Sequence, residues 1–377
     1  MAAPEPVLPA FDGPCLTNLV PALRGHLNGD AALPDWVPPV VGQAERVVLL
    51  LLDGLGHRQL GPRSALVPTL ASGEASMLTS VAPSTTAAAL TSLTTGLPPA
   101  VHGIVGYRVA MDGKVLNVLG WRLDGEDARR RVVPARFQPF EVFPGMPVVD
   151  GGVPVVSRAE YATTGFTAAH LGRSILHGWY TPAEVSVEIA RSLQDGTRFV
   201  YAYYDGIDRV AHARGLDEHY DAELRTADRL VADVLDVLPR GTALVVTADH
   251  GQVEVGPAVE VLGPDLMDAV TLISGEGRFR WLHCRPGAAD DLAAAARARY
   301  GDVAWVLTLD EMLEAGWLGG RPVPAVAERL GAVALVPFEP VAFMDPADTG
   351  ELRLVARHGS LTPDEMLVPL LAWVPTA

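Results

Sequence analysis

The stretch RVVLLLLDG, residues 46 to 54, decides the fold. A strand with one face in water alternates apolar and polar side chains. A nearly continuous aliphatic run that stops at Asp-Gly suits a strand covered on both faces, as in a parallel sheet. FVYAYY (199 to 204) and ALVVT (243 to 247) repeat the pattern, each with Asp and Gly close behind. Between these runs, Thr181-Pro182 opens a helix through Leu193, and Tyr220, Leu224, Ala227, Val231, Val234, Leu235 and Leu238 recur at helical spacing. Strand alternating with helix predicts an α/β fold: a doubly wound, mostly parallel central sheet with helices on both faces. Ligands of such sheets bind beyond the carboxyl ends of the strands, where Asp53, Asp205, Asp208, Asp249 and His250 fall.

Two stretches break the alternation. Residues 107 to 165, rich in Arg, Pro and short β-like runs such as RRRVVPARF and MPVVDGGVPVV, read as an irregular insertion over the sheet edge or the site. Residues 255 to 345, with a hairpin around Arg278 to Cys284 and a helix near Asp290 to Tyr300, read as a peripheral α+β lobe. The expectation is one catalytic domain over 1 to 377 carrying both additions.

At 377 residues with 49% apolar side chains, the chain can fill a substantial core. Its net charge of −16 repels phosphate backbones and anionic lipid surfaces, arguing against nucleic acid polymers and membranes as partners. A small anionic substrate would need local help, such as a metal. Cys15 and Cys284 form no C-x-x-C pattern, so neither a disulfide scaffold nor a thiolate metal site is expected. The opening residues MAAPEPVLPAFDGP have no basic and apolar leader, and no run reaches the roughly 18 apolar residues of a membrane span. A soluble, cytoplasmic protein is the expectation; oligomeric state is not readable.

Five separated pieces carry the chemistry. Asp53, at a strand end, can ligate a cation or simply form a turn. In VAPSTTAAALTSLTTGLPPAVHGIVGY (81 to 107), Ser84, Thr85 or Thr86 stands at a helix start, where a hydroxyl meets free amides and positive potential; it either caps the helix or serves a phosphate. Asp208 and His212 stand at i and i+4, which on a helix brings them to one face as a metal pair or a surface pair. Asp249 and His250 serve one site only if the chain turns at the strand end, which Gly251 permits. His358 precedes Gly359 and a helix start at Thr362-Pro363. Asp and His without Cys suit zinc first and manganese next. Two such clusters can hold ions about 4 Å apart, the arrangement for in-line displacement at phosphorus.

This order, Asp, Thr, Asp-x-x-x-His, Asp-His-Gly, His-Gly, resembles the metal and nucleophile motifs of the alkaline phosphatase superfamily, nearest its nucleotide pyrophosphatase/phosphodiesterase branch. The resemblance runs from about Arg46 to Leu371. TTGLPPAVHGIVGY is similar to that branch's Thr-Gly-Leu…His-Gly-Ile segment, and the closing HGSLTPDEMLVPL to its last metal-histidine segment. The resemblance implies an alkaline-phosphatase-like fold, Thr86 as nucleophile, and two divalent ions. Asp53, Thr86, Asp249 and His250 would bind one ion, and Asp208, His212 and His358 the other. It implies hydrolysis of a phosphodiester or pyrophosphate in a small, phosphorylated, nucleotide-like substrate. Phosphomonoester hydrolysis, or a non-catalytic binding role on the same fold, is the alternative. One position departs: where diesterase members usually carry an Asn three residues after the nucleophile, this chain has Ala89. Asn117, Lys114, an arginine of the insertion or a backbone amide would then hold the phosphoryl oxygen. The sulfatase motif Cys/Ser-x-Pro-x-Arg is absent near residue 86.

Overall fold

The computed structural model describes residues 3–148, 151–348 and 353–375. Its centre is a seven-stranded sheet. In chain order the strands are β1 (Arg46–Leu52), β2 (Glu74–Thr79), β3 (Pro154–Arg158), β4 (Ile175–Trp179), β5 (Phe199–Tyr204), β6 (Thr242–Thr247) and β7 (Leu367–Trp373). Across the sheet they run β2, β7, β6, β1, β5, β3, β4. Strands β6, β1, β5, β3 and β4 are mutually parallel, while β7 lies antiparallel between β6 and β2. The three apolar runs that suggested a parallel sheet are its three central strands. β5 and β6 are buried throughout, and β1 is buried beyond Arg46, because helices cover both faces. The fold is α/β around a mostly parallel central sheet, as the residue pattern implied.

Four strands escaped the sequence reading for identifiable reasons. β4 and β2 lie at the sheet edges and carry mixed polar and exposed positions, so neither shows an apolar run. β7 follows directly on the short helix Pro363–Met366, and its central Pro369 disguises it. β3 begins at Pro154, inside the stretch assigned to the insertion; it pairs with β4 and β5, so residues 154 to 158 belong to the central sheet. Within the run MPVVDGGVPVV, residues 149 and 150 lie outside the described residues.

The insertion contains a four-stranded antiparallel meander over residues 108 to 127. The lobe is a four-stranded antiparallel sheet (Val270–Glu276, Phe279–Cys284, Val333–Pro337, Ala304–Thr308) with the helix Ala289–Tyr300, around a core of its own.

The helices that matter for the site are α1 (Thr86–Thr95), α2 (Gly206–Arg214) and α3 (Glu218–Val237). α1 is buried at every position, which explains its small Ala and Thr side chains. α3 buries the stripe Tyr220, Leu224, Ala227, Leu230, Val231 and Val234, and Asp217 caps its first turn through the amide of His219. Among the described residues no helix is long and apolar enough to cross a membrane.

Candidate active site

Because β6, β1 and β5 are parallel neighbours, their carboxyl ends open onto one edge, and the loops beyond them deliver Asp249-His250, Asp53 and Asp205 to Asp208 side by side. α2 starts directly after β5 and holds Asp208 and His212 one turn apart on one face. α1 points its first residue, Thr86, at the same edge, and the loop before β7 brings His358. Residues separated by up to 305 positions thereby meet.

Three histidines share one arrangement. The Nδ1 of His250 lies 3.0 Å from the Gly251 carbonyl, that of His212 2.7 Å from Ala356 and that of His358 3.0 Å from Ser84. A ring nitrogen facing a carbonyl oxygen must carry the proton, which leaves each Nε2 lone pair facing inward. His250 Nε2 lies 3.1 Å from Thr86 Oγ1, 3.3 Å from Asp249 Oδ2 and 3.5 Å from Asp53 Oδ1. His212 Nε2 lies 3.3 Å, and His358 Nε2 3.7 Å, from Asp208 Oδ1.

The carboxylates are oriented just as specifically. Asp249 Oδ1 accepts the amides of Gly54 and His250, both at 3.1 Å. Tyr203 donates its hydroxyl to Asp53 Oδ2, and Gln252 donates to Asp208 Oδ1 at 2.6 Å. The other oxygens, Asp53 Oδ1 and Asp249 Oδ2, are buried with no hydrogen-bond partner. Leaving such atoms dry costs about 1–3 kcal/mol each, so they mark the place of a cation. The residues present therefore fit a divalent ion. Donor atoms of Asp53, Asp249 and His250 lie within 4.8 Å of one another, and so do those of Asp208, His250 and His358. His250 thus stands in both groups, whereas the resemblance placed it in one.

Electrostatics point the same way. Burial, reinforced by Asp249 and Asp208, raises the Asp53 carboxyl well above its usual range. Burial and Asp208 push Asp249 up to about 7. Burial also works on Asp208, but His212, His358 and His250 outweigh it and hold that carboxyl below its usual range. Burial lowers His250 to about 4 and His358 well below its usual value. The packed carboxyls of Asp53, Asp208 and Asp249 repel one another, which positive charge in the site would relieve.

Two glycines make this geometry possible. Gly54 has φ +75°, and a Cβ there would fall 3.0 Å from Asp208 Cβ. Gly251, anticipated as a turn former, is required for a different reason: a Cβ on it would fall 2.0 Å from the Asp364 carbonyl. Neither Ser84 nor Thr85 caps α1 by side chain; Ser84 Oγ donates to the Ser360 carbonyl at 2.6 Å. Asp205 is committed elsewhere, to Arg158 at 2.7 and 2.8 Å and to Tyr161 at 2.7 Å.

The substitutes suggested for the missing Asn are not in the site. Lys114 pairs with Asp124, and Asn117 accepts the Gly120 amide at 2.8 Å. Among the insertion's arginines, Arg108 pairs with Asp345 and Asp348, and Arg129 with Asp127. None of these residues lines the two cavities that meet at Thr86. Ala89 is buried in α1, where its amide donates to the Thr85 carbonyl at 2.9 Å; the amides that open a helix are of the kind that donate to a phosphoryl oxygen. The residues that sequence reasoning missed, Tyr203 and Gln252, orient carboxylates; Tyr203 sits inside the run FVYAYY and Gln252 directly after Gly251, with no signal separating them from packing residues.

The sequence profile of the type I phosphodiesterase / nucleotide pyrophosphatase family matches residues 47–361. The chain belongs to this family. It is accordingly a phosphodiesterase- or pyrophosphatase-type hydrolase, and the family implies dependence on divalent metal. Among solved structures it is similar to murine ectonucleotide pyrophosphatase/phosphodiesterase 5, with 16% identity, 88% of each chain covered and a TM-score of 0.64. It is also similar to phosphonoacetate hydrolase from Sinorhizobium meliloti 1021, with 19% identity, 88% of this chain and 92% of that one covered and a TM-score of 0.61. No curated protein sequence matches it.

Proposed function

We propose that the protein is a two-ion hydrolase of phosphodiester or pyrophosphate bonds in a small substrate, acting through a covalent phosphothreonine on Thr86. The observation that carries this reading is the Thr86 hydroxyl 3.1 Å from His250 Nε2, beside the partnerless Asp53 Oδ1 and Asp249 Oδ2. Asp53, Thr86, Asp249 and His250 would hold one ion and Asp208, His212 and His358 the other, with His250 next to both. Zinc suits this donor set first and manganese next. The ions would supply positive charge to the nucleophile, the phosphoryl oxygens and the leaving group.

The Thr86 hydroxyl gives up its proton to solvent as its oxygen attacks phosphorus, the P–O bond to the leaving group breaks, and the alcohol or phosphate departs; water then attacks the same phosphorus, the P–Oγ1 bond breaks, and the phosphate ester of the retained group leaves as the hydroxyl regains a proton. The amides at the start of α1 hold a phosphoryl oxygen in the place of an Asn at 89. A diester is favoured over a monoester because cavities of about 220 and 300 Å³ both border Thr86 and Asp208, giving room on two sides of phosphorus. Structural relatives bind small phosphorylated molecules: an inactive Thr-to-Ala form of the murine enzyme was solved with AMP, and the phosphonoacetate hydrolase with phosphonoformate.

The test is Thr86→Ala, zinc- or manganese-loaded, on bis-p-nitrophenyl phosphate and p-nitrophenyl phosphate. Turnover should fall about 10³-fold or more with folding intact. Near wild-type turnover on both overturns the assignment.

A further inference from the structure

The smaller of the two cavities, of about 220 Å³, is walled mostly by Leu90, Leu119, Phe166, Leu171 and tyrosine rings. One polar atom in it has a fixed role. His170 ends the helix Gly165–His170, is 95% buried and stacks on Phe166 with centroids 3.9 Å apart. Its Nδ1 lies 2.7 Å from the Phe166 carbonyl, so Nδ1 carries the proton and donates. Nε2 is then an acceptor only, and no described residue donates to it; the open space beside this buried ring is the cavity. Burial lowers the imidazole to about 4, so it stays neutral at physiological pH. Ser157, on β3, lines the same cavity with a hydroxyl.

The ring is held by parts unrelated to ion binding. Thr94 of α1 donates to the His170 carbonyl at 2.8 Å. Thr164 caps the helix by accepting the Thr167 amide at 3.1 Å, and Trp121 of the insertion packs so closely on Gly165 that a Cβ there would lie 2.1 Å from its ring. An acceptor that no protein group satisfies and that borders an open cavity is free to take a donor from a ligand.

We propose that His170 is a specificity-determining residue that accepts a hydrogen bond from a hydroxyl on the substrate group occupying this cavity. The inference rests on the phosphodiesterase reading above. A hydroxyl fits better than an amide N–H because it donates to His170 while accepting from Ser157. The second cavity is lined by His212 and His358, the ligands proposed above for the second ion; with that ion taking the leaving oxygen opposite Thr86 in an in-line displacement, the group read by His170 is the one retained on phosphorus. The substrate class is a diester or pyrophosphate whose retained alcohol is a compact, largely apolar polyol or sugar.

The experiment uses the zinc-loaded enzyme and p-nitrophenyl phosphodiesters of cyclohexanol and of its 3- and 4-hydroxy isomers, with His170→Phe and His170→Gln as variants. The wild type should prefer its best hydroxylated isomer over cyclohexyl by 10-fold or more in kcat/KM. His170→Phe should bring that ratio to about one, and His170→Gln, which keeps an acceptor oxygen, should retain part of it. Calorimetric binding of cyclohexyl and hydroxycyclohexyl phosphate should show the same ratio without turnover. A wild type with no preference in turnover or binding overturns the proposal, as does a preference that survives in His170→Phe. Should no diester be hydrolysed, the phosphodiesterase reading fails, and the binding ratio still decides the role of His170. Circular dichroism verifies that each variant folds, and His170→Gln decides should the Phe variant not.

Discussion

His250 and His358 stack face to face, with ring centroids 3.4 Å apart and planes 9° from parallel. Each ring is pinned by its own Nδ1–H to a backbone carbonyl, and His250 Nε2 reaches Asp53 and Asp249 while His358 Nε2 reaches Asp208. The two clusters of candidate ligands are therefore joined through one pair of rings. His250→Ala and His358→Ala should each lower kcat/KM about 100-fold or more, with the double variant little worse than the poorer single one, since residues acting as a unit are not additive. Elemental analysis should find two zinc or manganese ions per wild-type chain, and each single variant should lose more than half of that content. Independent, additive losses would contradict the shared arrangement.

Tyr203 and Gln252 touch carboxylates rather than any ion. Tyr203→Phe removes the donor to Asp53, and Gln252→Leu the donor to Asp208. Ligand-orienting partners of this kind are worth about 10–100-fold in metal affinity. Zinc titration against a competing chelator should show a loss in that range for each, with the far-ultraviolet circular dichroism spectrum unchanged.

Gly251→Ala places a methyl group 2.0 Å from the Asp364 carbonyl, so the 250s loop and the helix Pro363–Met366 must part. Destabilisation of about 1–3 kcal/mol in urea unfolding is expected, together with weakened metal binding, because the Gly251 carbonyl is what holds His250. Wild-type stability would show that the loop can shift freely.

Arg278 of the lobe reaches into the main domain, paired with Glu365 at 3.0 and 2.7 Å and fully buried. Glu365 in turn accepts the Ser360 amide at 2.9 Å and the Thr362 hydroxyl at 2.6 Å, fixing the turn that follows His358. Removing one partner of a buried pair is strongly destabilising, so Arg278→Ala should cost about 3–5 kcal/mol. Glu365→Gln, which keeps acceptor and shape, should cost less in the same unfolding assay and should preserve more metal affinity.

His102, in the HGI segment, is structural. Its Nδ1 accepts the Ile104 amide at 3.1 Å and its Nε2–H faces Ser92 Oγ at 2.9 Å, and burial lowers it from 6.5 to about 3. A histidine with a depressed folded pKa contributes stability that is complete above about pH 6.5 and is lost as pH falls from there toward 3, because the unfolded chain takes up the proton first. Urea unfolding between pH 7.5 and 4.5 should show falling stability. His102→Gln should flatten that slope relative to wild type, and an unchanged slope would rule out this origin.

The chemistry of the site was legible in the sequence to the extent that it was local. Asp53, Asp249 and His250 follow apolar runs whose composition alone marks buried parallel strands, and Asp208 and His212 declare a shared helix face by their spacing. What was not legible was every relation carried by distant chain segments. Edge strands β2 and β4 lack an apolar run, and β3 hid behind Pro154 within the insertion, since membership of a sheet is decided by the neighbour and not by the strand. Lys114 and Asn117 had suitable chemistry, yet the meander turns them to Asp124 and Gly120.

The sequence by itself determined the fold class and the family, because period and residue type report burial and ligand chemistry within a few positions of each residue. Only the tertiary structure decided that His250 belongs to both clusters of candidate ligands, that Lys114 and Asn117 are turned away from them, and that His170 lines a cavity beside Thr86. The physical reason is that hydrogen bonds and ion–ligand contacts act over about 3 Å. Which residues come that close is set by the packing of segments hundreds of positions apart, and no local pattern records it.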